Sequence, residues 1–130
     1  MTPAITALYA IPLALMMLGL SIYVTMLRAK TGISIMDGGN VALAERIRRH
    51  GNFVENVPMA LILMALAELL GSGGAWLHAA GSFLLVGRIT HVMGIRHDKG
   101  NTFARIAGGT MTNISVLIAA GSLFFRTLMQ

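Results

Sequence analysis

A chain of 130 residues that is 55% hydrophobic and only 12% charged, with a mean hydropathy of +0.73, has too few polar groups to coat a soluble domain. Its net charge of +5 sits at the ends of apolar runs, with no basic stripe interleaved with aromatics, which argues against nucleic acid and for membrane topology. There is no cysteine, so disulfides, thiolate metal sites and a cysteine nucleophile are excluded, and any thiol must arrive with a ligand.

Four apolar runs each approach the roughly 20 residues that cross about 30 Å of hydrocarbon. The first, about Ala4–Leu27, has no Lys or Arg before Arg28 and so reads as a retained helix rather than a cleaved leader. Arg28-Ala-Lys30-Thr-Gly32 ends it, and Asp37-Gly-Gly-Asn40 offers turn and cap residues before the second. That second helix runs over about 41–70, an amphipathic start from Val41 leading into the apolar Val57–Leu70. Gly71-Ser-Gly-Gly74 makes a tight hairpin into the third, about Trp76–Ile95, and Asp98-Lys-Gly-Asn101-Thr102 links it to the fourth, Phe103–Leu128. The expectation is a single domain over residues 1–130: an all-α membrane protein, a four-transmembrane-helix bundle.

Loop charges set the expected orientation. Arg28, Lys30, Arg46, Arg48 and Arg49 flank the first loop, Arg96, Lys99 and Arg105 the third, and the glycine hairpin carries no Lys or Arg. Both basic loops are therefore expected in the cytoplasm, with both termini and the hairpin on the other side; Arg126 is the one residue against this bias. Trp76 is placed near an interface.

The polar content of the helices is concentrated at the basic end. On a helix, Glu45, Arg48, Asn52 and Glu55 fall on one stripe, while Arg49 lies off its edge and His50 points away. Arg48 to Glu55 spans about 10 Å at 1.5 Å per residue. Each such charge in hydrocarbon costs on the order of 2.5–3.5 kcal/mol, so intramembrane charges pair or face a cavity or ligand. Helix 3 adds Arg88 and His91 one turn apart, and helix 4 opens with Arg105 above Gly108, Gly109 and Thr112, small residues that admit a close neighbour, as Gly19 and Gly81 also do. Three arginines against Glu55 favour an anionic ligand.

The pattern Arg48-x-His50-x-Asn52-x-x-Glu55-x-x-Pro58, with Gly87-Arg88-Ile-Thr-His91 on helix 3, resembles the MAPEG family (membrane-associated proteins in eicosanoid and glutathione metabolism), in particular its short bacterial branch. The resemblance covers helices 2 and 3 by motif and helices 1 and 4 by length, order and the placing of Arg28 and Arg105. It implies a homotrimer of four-helix subunits in a bacterial inner membrane, with glutathione as co-substrate between neighbouring subunits near the cytoplasmic face. Carried over, Arg48, Asn52 and Glu55 contact the tripeptide, Arg88 pairs with a carboxylate such as Glu55, His91 lines the cavity, Arg28 reaches in from a neighbour, and Arg105 activates the thiol. Membrane lipids or lipophilic small molecules are the implied second partners.

Two positions depart from the family pattern: Ile95 stands where several family enzymes carry a tyrosine, and Ile106 follows Arg105 in place of a hydroxyl residue. Three readings follow. The first is a glutathione transferase or peroxidase acting on lipophilic electrophiles. The second is a non-catalytic binding or scaffold protein, in which Arg48, Asn52 and Glu55 tie helices together and Arg105 is a positive-inside anchor. The third, a small multidrug transporter, requires a carboxylate in helix 1, which has none. The four histidines, His50, His78, His91 and His97, lie on different faces or at opposite ends, so no metal site is expected.

Overall fold

A computed structural model describes residues 2–129 and contains α1 (Ala4–Thr31), α2 (Val41–Leu69), α3 (Gly74–Gly94) and α4 (Phe103–Leu128). α1 runs past the expected Leu27 because Arg28 and Lys30 in its last turn suit the negative end of the helix dipole. It stops at Gly32, whose φ of 72° is left-handed and whose N–H returns to the Arg28 carbonyl. Asn40 then caps α2, its Oδ1 accepting from Leu43 N at 3.0 Å. α3 begins and ends slightly earlier than the expected Trp76–Ile95, because Ile95 is already extended at φ −80°, ψ 108°.

α1, α2 and α4 are each long and apolar enough to cross a membrane. The 21 residues of α3 reach about 30 Å, but His78, Arg88 and His91 lower its apolarity. Arg88 and His91 are buried against the other helices.

Glycine decides how closely the helices approach. A Cβ on Gly108 would overlap the His91 backbone, and one on Gly94 the backbone of Arg105, so α3 and α4 pack main chain to main chain. Gly81 lets the Tyr9 ring lie on α3. Gly19, expected to mark another close contact, has nothing within 4 Å of where its Cβ would be. The core joins all four helices through Leu13, Phe53, Val57, Ala60, Met64, Ala80, Leu84 and Ala119. Outside it, α1 leaves Leu8, Ile11, Leu15, Leu18 and Ile22 exposed, and α2 leaves Met59, Ile62, Leu66 and Leu69 exposed. Apolar surface on this scale requires lipid or another protein to cover it.

Glu68 pins the first helix, and the sequence reading passes over it. It is 8% exposed at the end of α2. Its carboxylate accepts from the backbone N–H groups of Ile5 and Thr6, both at 2.8 Å, and from Thr6 Oγ1 at 2.7 Å. Pro3 at the N-cap of α1 supplies no capping side chain, so a carboxylate from another helix satisfies these donors and meets the positive end of the dipole. Glu68→Ala is expected to lower stability by about 1–3 kcal/mol, with Glu68→Gln, which keeps one acceptor, in between. Thermal unfolding followed by circular dichroism in mild detergent checks this; an unchanged midpoint for both variants contradicts the capping role.

Candidate functional site

At the basic end, α2, α3 and α4 converge on one guanidinium. Arg88 is 1% exposed. Its Nη2 donates to Asn52 Oδ1 at 2.7 Å and lies 3.4 Å from His91 Nδ1, and its Nη1 donates to Thr112 Oγ1 at 3.3 Å. The Thr112 hydroxyl donates in turn to the Gly108 carbonyl at 2.9 Å. Phe53 places its ring centroid 5.7 Å from the guanidinium carbon. Arg88 therefore touches α2 through Asn52 and Phe53 and α4 through Thr112, and none of these neighbours is an acid. The expected Arg88–Glu55 pair is absent because Glu55 belongs to the outward face of α2.

There Glu55 pairs with Arg48, two turns away on the same face, through Nη1–Oε1 and Nη2–Oε2 contacts of 3.2 Å each, both side chains 53% exposed. Arg105 is half-buried in the first turn of α4. Its backbone N–H is held by Thr102 Oγ1 at 3.1 Å, and Thr102 Oγ1 also donates to the Gly94 carbonyl at 2.7 Å. The Arg105 side chain has no hydrogen-bond or ion-pair partner among the described residues. Arg48, Arg88 and Arg105 come from α2, α3 and α4 and all lie toward the basic end of the bundle. Of these three guanidiniums only that of Arg48 is paired with a carboxylate.

Two sequence expectations resolve differently. Arg28 is not brought to this cluster within the subunit; its Nη1 donates to the carbonyls of Ile33 (3.2 Å) and Met36 (2.8 Å) and so shapes the α1–α2 loop. Glu45 leaves the stripe it was assigned to: it pairs with Arg49 and accepts from His97 N at 2.8 Å, while Arg49 Nε and Nη2 donate to the Ile95 carbonyl at 3.0 and 2.8 Å. A second ionic network therefore closes the α3–α4 loop onto α2. Beside it, hydrogen bonds from Arg96 hold the Asp98 carboxyl below its usual range. The histidines are dispersed: His78 meets Tyr9, His91 meets Arg88 and His97 meets Glu45. Nothing in the chain's pattern marks Thr112 as an arginine partner, since a hydroxyl among glycines reads as a packing residue.

Residues 6–125, nearly the whole chain, match the MAPEG family. The chain belongs to the MAPEG family. Among curated proteins it is 39% identical over 93 residues to the inner membrane protein YecN of Escherichia coli K12, covering 72% of this chain and 71% of that one. The YecN protein of Escherichia coli O6:H1 matches to the same extent. No solved structure gives a significant match. In this MAPEG chain the family motif residues divide by environment: Arg88 and His91 are enclosed by helices, whereas Arg48 and Glu55 face outward.

That division predicts different consequences of mutation. Arg88→Ala removes a buried side chain and strands the acceptors it satisfied, at a cost of about 2–4 kcal/mol. Arg96→Ala breaks an exposed, solvent-screened pair, with side chains 49% and 45% accessible, and should leave stability nearly unchanged. Thermal melts of the two variants in one detergent should separate by several degrees, and equal midpoints would refute the central place given to Arg88.

Proposed function

We propose that this MAPEG protein binds glutathione at the Arg48–Asn52–Glu55–Arg105 face and presents it as a thiolate to lipophilic electrophiles, as a transferase or peroxidase of the inner membrane. The observation that supports this most directly is the charge balance: of Arg48, Arg88 and Arg105 only Arg48 is paired with a carboxylate, that of Glu55, and Arg105 has no side-chain partner among the described residues. Glutathione brings two carboxylates and a thiol to such a surface. A free thiol near pKa 8.5 is only a few per cent ionised at neutral pH. A guanidinium that lowers this by about two units contributes roughly 2.7 kcal/mol in favour of the anion, and arginine suits the task because it stays charged when partly buried. The thiolate sulfur then bonds to the electrophilic carbon as the leaving group departs. Arg88 positions Asn52 and His91 from beneath. Ile95 and Ile106, in place of the tyrosine and hydroxyl common in the family, leave Arg105 as the activating group.

Arg48→Ala and Glu55→Ala should weaken glutathione binding by about 2–5 kcal/mol, since each strands a charge in the cavity that a neighbouring subunit would close over this outward face. Arg105→Ala should keep much of the binding but raise the thiol pKa of bound glutathione, read as thiolate absorbance across neutral pH. Wild-type binding with an unshifted thiol would leave the non-catalytic reading, a binding protein of the same fold, in its place. Equal loss of binding in Arg105→Ala and Arg48→Ala would refute the division of roles.

The same reading requires a neighbour. On α2, Arg48, Glu55, Met59, Ile62, Leu66 and Leu69 are all exposed and follow each other at intervals of three, four or seven residues. A heptad seam of this kind is what helices present to one another, and here it continues from the polar residues into apolar ones. The assembly proposed is a homotrimer, the number following from the family resemblance, with all four helices crossing the membrane, both termini outside the cytoplasm and the site toward the cytoplasmic face. Lacking cysteine, the chain allows single introduced ones to report on both points. Ile62→Cys should crosslink between subunits. Ser34→Cys and Ala75→Cys, both exposed, should label from opposite sides; Ser72 in the hairpin is too buried to serve. Labelling from one side refutes the topology, and a stable monomer in native mass spectrometry refutes the assembly.

A further inference from the structure

The hairpin end carries a cleft that the proposed reaction does not use. Between the start of α3 and the end of α4, Gly73, Trp76, Leu117, Gly121, Phe125 and Arg126 line a space of about 530 Å³, within the ~300–1,000 Å³ of ligand sites. Its walls are almost wholly apolar, and Leu117, Phe125 and Trp76 are 70%, 59% and 63% exposed. Gly121 keeps it open: a Cβ there meets no atom within 4 Å.

Arg126 gives the cleft a charge. It lies in the last turn of α4 and makes no ion pair or hydrogen bond among the described residues. It opposes the distribution of the other cations, which mark the basic end. The five acids of the chain are committed elsewhere: Glu68 to α1, Glu55 to Arg48, Glu45 to Arg49, Asp98 to Arg96, and Asp37 to the Gly39 N–H. A cation at the end of a membrane helix, above an apolar slot and beside an amphipathic indole, complements a molecule with a negative head and a hydrocarbon tail.

We propose that this cleft is a binding site for a phospholipid with an acidic headgroup, its acyl chain between α3 and α4 across Gly121 and its phosphate on Arg126. The lipid covers the exposed Leu117 and Phe125 and gives Arg126 the anion that no acid of the chain provides.

Trp76, the single tryptophan, lies in the cleft wall and reports on its occupant. The test is quenching of Trp76 fluorescence in detergent by phospholipids with brominated acyl chains, phosphatidylglycerol against phosphatidylcholine, on the intact assembly without glutathione. Phosphatidylglycerol should quench the wild type at about fivefold lower mole fraction, the factor expected for one arginine at a membrane surface. Arg126→Gln should abolish that preference and Arg126→Lys keep it. Gly121→Leu, which fills open space, should weaken quenching by both lipids while leaving the thermal midpoint unchanged. Equal quenching by the two lipids in the wild type, or a preference that survives Arg126→Gln, overturns the proposal. Displacement of phosphatidylglycerol by millimolar inorganic phosphate would make the site one for a free anion and overturns it too. So does dissociation of the assembly by Gly121→Leu or Arg126→Gln in native mass spectrometry, which would mark the cleft as a protein seam.

Discussion

The burial of one arginine without an acidic partner is the constraint around which the rest of the bundle is arranged. An enclosed guanidinium is tolerable only if its donors are met and its charge is balanced or delocalised. Arg88 meets this at its two terminal nitrogens with the Asn52 amide oxygen and the Thr112 hydroxyl, and across its face with the Phe53 ring, one from α4 and two from α2, while its buried Nε has no hydrogen-bond partner among the described residues. Because the charge is not cancelled, its field persists at the surface beyond Asn52 and His91. A neighbouring carboxylate would have quenched it; the chain instead turns Glu55 outward and leaves the interior positive.

Close packing is the condition for that arrangement. Arg88 reaches Thr112 only because Gly87, Gly94 and Gly108 remove the side chains that would hold α3 and α4 apart. Thr102 closes the same pair from the loop side by capping α4 and donating to the end of α3. The Arg105 backbone is held in this contact while its side chain is left without a partner. A main chain held in this way under an uncommitted guanidinium would suit the activation proposed for Arg105, since a fixed donor needs little reorganisation when charge appears beside it.

The two ends of the molecule treat charge in opposite ways. At the basic end, networks around Glu45 and Arg88 link three helices, and positive charge remains in excess. At the hairpin end, Glu68 spends its negative charge on the amides of α1, so Arg126 is left facing an apolar slot. Both ends present unmatched cations, but one lies beside polar groups suited to a small hydrophilic anion and the other beside hydrocarbon and indole. That difference in surroundings is why the two are assigned different ligands.

Composition and periodicity by themselves determined a helical membrane protein, the order of four helices and their ends to within a few residues. These depend on local signals: apolar length, Asn40 and Thr102 as caps, and Gly32 as a stop. The pattern of Arg48, Asn52, Glu55, Arg88 and His91 also pointed to the family, because motif identity survives without knowledge of contacts. Which polar residue meets which was decided only by tertiary structure. The helical wheel put Glu45 with Arg48 and Glu55, yet the α3–α4 loop draws it to Arg49 and His97. The family resemblance implied Glu55 as a partner for Arg88, yet within the subunit the rotation of α2 sets them on different sides. Glu68 was invisible because its partners are backbone amides some sixty positions away, and Gly19 and Gly108 differ in whether a helix packs against them. A sequence carries the periodicity of each helix; the rotation of one helix against another is fixed only when they pack.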